Sequence, residues 1–305
     1  MKKVKLVLVM ALILALAACS TDEPGSKKET GSKDSDGSYK IGFSISTLNN
    51  PFFVTLGDGA KEKAKELGAD LTVVDAQDDA SKQASDVEDL IQQGVDLILI
   101  NPTDSEAVVA AVESANSAGI PVITVDRSAE GGEVVSHIAS DNAAGGEIAG
   151  EFLVEIVGEG AKVAELEGIA GSSAARDRGE GFNNVAKEQL DVVVKQTANF
   201  NRAEGLTVME NILQANPDIK GVFAHNDEMA LGALEAIEAA GKDIAVVGFD
   251  ATDDAVQSVQ DGKLKGTIAQ KPELIGKKAV EAAVQSLKGE KVEASIPVEL
   301  ELIKE

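Results

Sequence analysis

From residue 39 onward, short apolar runs alternate with longer stretches in which apolar residues recur every three or four positions. The first five runs cover 40–46, 71–75, 97–101, 122–126 and 134–139. They are rich in β-branched residues and apolar on both faces, as strands buried in a parallel sheet must be. Between them the periodicity predicts helices over 52–67, 80–93 and 104–118. Gly68, Gly94 and Gly119 fall where helices end on a left-handed residue, and Ser81 and Asp104 stand near helix starts. After residue 141 the alternation begins again. Helices are expected over 143–157, 174–189, 202–215, 228–240, 253–261 and 272–288. Strands are expected over 162–166, 192–196, 221–224, 245–248, 266–269 and near 298–303. Two such runs predict an α/β protein of two doubly wound parallel-sheet domains.

The N-terminus follows a different rule. Lys2, Lys3 and Lys5 precede 13 uncharged, apolar residues, 6–18. That run is well short of the roughly 20 residues that span a bilayer, and it reads as a signal peptide, 1–18. Leu16-Ala17-Ala18-Cys19 resembles a bacterial lipobox, which implies cleavage before Cys19 and a lipid on its thiol. Cys19 is the only cysteine, so the fold has no internal disulfide to rest on. Residues 20–38 are polar and Gly/Ser-rich, the composition of a disordered tether between an anchor and a folded body. The expected location is extracytoplasmic, lipid-anchored to the outer face of the cell membrane. The formal charge is −24. Without the three signal-peptide lysines the balance is 25 basic against 52 acidic residues, or −27. A nucleic-acid partner would need basic patches, so this balance argues against that class.

Polar residues and rings gather just past the predicted strands. Ser46 and Asn50 follow the first strand, Asn101 the third, Asp126 and Arg127 the fourth, and Ser140 closes the first half. In the second half Phe200, then Asn226 and Asp227, then Phe249 and Asp250, then Gln270 hold the equivalent places. Open α/β sheets bind ligands at these strand ends. The stretch from Thr47 to Phe53 is the most pointed case. The chain has no Trp, one Tyr and eight Phe, yet Phe52 and Phe53 stand together at a strand-to-helix turn behind Asn49, Asn50 and Pro51. A flat apolar wall suits the C–H face of a sugar, while Asp, Arg, Asn and Gln read its hydroxyls. The plainer reading of each lone Asn or Asp is helix capping, and of each Phe, core filling. Enzyme motifs are wanting. No G-x-G-x-x-G or Walker loop follows a strand, no G-x-S-x-G elbow occurs, and His137 and His225 lack metal-ligand spacing. The segment 168–171 (GIAG) reads as a tight turn.

Eight motifs together resemble the type I periplasmic sugar-binding proteins that serve ABC importers. They are 46–53 (STLNNPFF), 100–104 (INPTD), 121–127 (PVITVDR), 136–142 (SHIASDN), 168–171 (GIAG), 174–182 (AARDRGEGF), 226–233 (NDEMALGA) and 246–250 (VVGFD). The resemblance covers residues 39–305. It implies two lobes, 39–140 with 271–299 and 141–270 with 300–305, crossed by the chain near residues 140–141, 270–271 and 299–300. It implies D-ribose or a similar monosaccharide in the cleft between them. Asn50, Phe52, Phe53, Asp126 and Arg127 would contact it from one lobe. Arg178, Phe200, Asn226, Asp250 and Gln270 would do so from the other and its hinge. Ser46, Asn101, Ser140 and Phe249 would be secondary contacts. No catalytic residue, metal or cofactor is implied. The implied partners are an ABC importer permease and a chemoreceptor, with the chain itself a monomer. The resemblance leaves room for another monosaccharide or a furanose-like signal molecule. A sugar-sensing regulator domain would need an N-terminal helix-turn-helix where the lipobox stands.

Overall fold

The computed structural model describes residues 38–305. The signal peptide, the lipobox with Cys19 and the tether up to residue 37 lie outside the described residues.

Two six-stranded sheets carry the fold. The first sheet runs β11 (Ser295–Val298), β5 (Ser136–Ser140), β4 (Val122–Val125), β3 (Leu97–Ile100), β1 (Lys40–Ile45), β2 (Asp70–Asp75), all parallel. The second runs β12 (Glu301–Lys304), β10 (Gly266–Ala269), β9 (Ala245–Asp250), β8 (Gly221–Ala224), β6 (Lys162–Glu167), β7 (Asp191–Thr197). Only β12 is antiparallel there. Central strands such as β3 (LILI) and β4 (VITV) are buried at every position, because helices cover both faces of each sheet.

On the first sheet, α1 (Pro51–Leu67) and α9 (Pro272–Leu287) share one core with Phe43, Leu99 and Ile123. Helices α2 (Ala80–Gln92) and α3 (Val109–Ser117) share the other, with Ile98 and Ile100. On the second sheet, α4 (Asn142–Val157) and α5 (Ser173–Gln189) close over Phe223 and Phe249. Helices α6 (Arg202–Ala215), α7 (Asp227–Ala239) and α8 (Asp253–Gln260) close over Leu166 and Val246.

Three sequence expectations need correction. The single strand near 298–303 is two strands, β11 and β12, which belong to different sheets and are separated only by Glu299 and Leu300. The helix expected from 104 begins at Val109. Asp104 Oδ1 accepts the N–H groups of Glu106 and Ala107 in a turn of its own. Asp79, not Ser81, caps α2, taking the N–H groups of Ser81 (2.8 Å) and Lys82 (3.0 Å). Gly68 does end α1 in the left-handed region, at φ 68°.

Candidate functional site

The C-terminal strand ends of the two sheets face one small, closed-in cavity. Asn50, Phe52, Phe53, Asp126, Arg127, Arg178, Phe200, Asn226, Asp250 and Gln270 all line it, joined by Ala174. Each of the ten polar or aromatic groups is at most 9% exposed.

The first-lobe wall starts at Asn50, whose Oδ1 accepts the Phe52 N–H at 3.0 Å and so caps α1. Capping and site placement therefore coincide in one residue. Phe52 and Phe53 meet edge to face, with centroids 5.2 Å apart. Asp126 follows β4 at φ 64°, an uncommon angle for a residue with a Cβ. Its backbone N–H is held by Ile138 O at 2.8 Å. Its Oδ2 accepts from Asn101 Nδ2 (3.4 Å), while Oδ1 is buried without a partner among the described residues. Asn101 is itself fixed: Nδ2 donates to Val125 O (2.9 Å), and Oδ1 accepts from Ser46 Oγ (2.7 Å). Gln83 of α2 bonds Asn101 O (2.9 Å) and receives the Thr103 N–H (2.9 Å). Arg127 donates through Nη1 to Pro102 O (3.2 Å). Its guanidinium stands 5.0 Å from the Phe53 centroid and 5.3 Å from that of Phe200, a ring of the other lobe.

The second-lobe wall is built around Arg178. Its Nε donates to Asn142 Oδ1 (2.9 Å), its Nη1 to His225 O (2.6 Å), and the guanidinium lies 3.9 Å over the Phe249 ring. Nη1 is 3.7 Å from Asp250 Oδ1, which also accepts from Gln270 Nε2 at 2.9 Å. Asn226 caps α7 through the Met229 N–H (3.0 Å) and donates to Phe200 O (3.3 Å). Phe200 sits at φ 58°, and its ring lies so close to Gly168 that a Cβ there would be 2.1 Å from Cζ. The 168–171 segment is thus a turn that makes room for the ring, closed by the Ser172 N–H on Ile169 O.

Burial drives the electrostatics. It pushes the Asp126 carboxyl above its ordinary range, against the pull of Arg127 and Arg178. It lifts Asp250 well above that range, against Arg178. It lowers both guanidinium groups from their usual values. Two acids and two bases leave a nearly neutral site, and each buried charge has an opposite neighbour. Such a cavity disfavours a charged ligand and offers acceptors and donors to a neutral one.

Of the four secondary positions, Ser46 and Asn101 stand behind Asp126, and Phe249 lies under Arg178. Ser140 Oγ is buried and unpartnered among the described residues. Sequence reading passed over Ala174 and Gln83, and it placed Asn142 and Asp227 at strand ends without giving either a role. Asn142 and Asp227 sit at helix starts, where polar residues are ordinary. His225 is engaged in a buried contact with Glu165 (3.0 Å). Among the described residues no group of three or more His, Cys, Asp or Glu is placed to hold a metal. No described helix is long and apolar enough to cross a membrane.

Beyond the cavity the lobes touch again. The Ser105 N–H donates to Gly171 O (2.9 Å), the Ser173 N–H to Ser105 Oγ (3.2 Å), and the Ser128 N–H to Ser173 Oγ (2.9 Å). Arg176 pairs with Glu130 at 2.5 Å.

Residues 41–291 match the family described as periplasmic binding protein domain. The chain is 59% identical over 278 residues to the ribose import binding protein RbsB of Bacillus subtilis, covering 91% of this chain and 90% of that one. It is 57% identical over 265 residues to RbsB of Escherichia coli, covering 86% and 90%. Among solved structures it resembles an ABC transporter solute-binding protein of Bacillus halodurans with bound myo-inositol. There the TM-score is 0.84 at 35% identity, with 89% of this chain and 96% of that chain covered.

Proposed function

The chain belongs to the periplasmic binding protein family, and from that premise we propose that it captures D-ribose outside the cytoplasm and hands it to the permease of an ABC importer. It binds and releases the sugar unchanged. One observation carries the reading. Asp126 Oδ1, Arg127 Nε and Gln270 Oε1 are buried without hydrogen-bond partners among the described residues, and their side chains line the same ring-walled cavity. Buried polar atoms are rarely left unpaired, and these three are matched by hydroxyls of a neutral sugar ring held against Phe52, Phe53 and Phe200. The ten residues named from the sequence are its contacts. The two strand-end walls belong to different sheets, so a sugar that bridges them binds the closed arrangement better and shifts the population toward it. The closed shape is what the permease distinguishes.

The similarity to RbsB proteins of two organisms supports ribose over other monosaccharides. Cys19, by its lipobox, anchors the mature chain to the outer face of the membrane, with 20–38 as the tether. A chemoreceptor would read the same closed shape. Titration calorimetry against a panel of pentoses and hexoses tests the assignment, and D-ribose is expected to bind most tightly. Tighter binding of another sugar replaces the ligand, and binding of none removes the reading. Mass spectrometry of the cell-derived protein tests the anchor, with diacylglyceryl expected on Cys19.

A further inference from the structure

Asp250 is held in an unusual place. Its φ is 120° and that of Ala251 is 55°, two consecutive L residues in the left-handed half of backbone space. Such conformations persist where the surroundings over-determine them. Most of that support comes from one side chain outside the cavity lining. Asp227, fully buried, accepts the Thr252 N–H on Oδ2 at 2.8 Å and the Thr252 hydroxyl at 3.2 Å. Its Oδ1 accepts the Thr267 hydroxyl at 2.7 Å, and Thr267 Oγ1 in turn accepts the Ala251 N–H at 3.1 Å. The two backbone N–H groups that follow Asp250 are thus both tied to Asp227, one directly and one through Thr267.

Helix capping does not account for this carboxylate. Asn226 already caps α7 through the Met229 N–H, and the partners of Asp227 lie on β10 and on the segment after β9. The chain makes room for it: a Cβ on Gly248 would stand 2.3 Å from Asp227 Oδ1. Burial pushes the carboxyl up to about 7 in spite of its three donors, so a neutral residue would pack there at less cost.

We propose that Asp227 is a positioning residue of the sugar site: it clamps the turn at 250–252 and so fixes where the Asp250 carboxylate meets the ligand. The proposal rests on the sugar-capture reading above. It acts through Asp250, which a double-mutant cycle isolates. D-Ribose is titrated by calorimetry into the full chain carrying Asp227→Ala, Asp250→Asn or both. Asp227→Ala is expected to weaken binding about tenfold with Asp250 present, and by no more than about twofold with Asp250→Asn. Its loss of melting temperature should be the same in both backgrounds, which a merely structural residue would also show. An equal affinity loss in both backgrounds overturns the proposal, as does no loss at all. Where Asp227→Ala does not fold, Thr267→Val removes the link to Ala251 with little change of shape, and the same cycle applies. The unsubstituted chain separates the two readings. If it binds D-ribose and the cycle is additive, only the positioning role fails. If it does not bind, the sugar reading fails and takes this role with it.

Discussion

Asp126 and Arg178 each make contacts that no neighbour can replace. Asp126 offers an unpaired oxygen to the cavity, and Arg178 joins Asn142, His225 O, Asp250 and the Phe249 face. Truncating a buried, hydrogen-bonded charge in a binding site costs about 2–5 kcal/mol. Asp126→Ala and Arg178→Ala should each lower D-ribose affinity at least about tenfold by calorimetry, with a folded spectrum retained. Near-normal affinity in either would remove that residue from the site. The Asp227 carboxyl gives a pH prediction. Its value rises from 3.8 to about 7 on folding, so between those limits the native chain keeps a proton that the unfolded chain gives up. The stabilisation from that proton is full below about pH 4 and is lost as pH rises through about 7. Denaturant midpoints of the sugar-free protein should therefore fall less steeply across this window in Asp227→Asn. An unchanged slope would show that Asp227 does not titrate there.

The regular elements were legible because each obeys one strong rule. Buried strands such as β3 and β4 read as unbroken apolar runs, and α1 announces itself by Asn50, Pro51 and a closing glycine. The strands β11 and β12 did not, since they are short, half-exposed edge strands, one with Pro297 inside it. The start of α3 was hidden because an Asp that caps a helix and one that closes a turn look alike in sequence. In the site, residues just past strand ends were legible from topology. Gln83 was not, because a helix residue that braces a ligand contact carries no signal of its own, and Asn142, though at a strand end, gave no sign that it would hold Arg178. Helix packing also reaches the site. A Cβ on Gly146 of α4 would stand 2.2 Å from Arg178 O on α5. Gly146→Ala should force the helices apart, costing roughly 1–3 kcal/mol of stability, and should move Arg178. Thermal melts and sugar titrations should both show the loss. A stable variant with weakened binding, or the reverse, would show that the two are not coupled through this crossing.

For the whole molecule, Ser105, Ser128, Ser173 and the Arg176–Glu130 pair join the lobes without lining the cavity. If the proposed hinge closure makes these contacts, they bias the population of the binding-competent form. Ser173→Ala removes one neutral hydrogen bond, worth about 1 kcal/mol, and should weaken binding roughly fivefold. The factor should be the same for D-ribose and for any weaker sugar, because the contact does not touch the ligand. A change in the ratio of the two affinities would place Ser173 against the sugar instead.

The crossing at Glu299 and Leu300 has a temporal meaning as well. The first sheet waits for α9 and β11, and the second for β12, whose last residue is Lys304. During synthesis, therefore, neither sheet can be completed until the residues from Ser295 to Lys304 have been made. On the proposed export route, a chain threaded before those strands are made would cross with both sheets still lacking an edge strand.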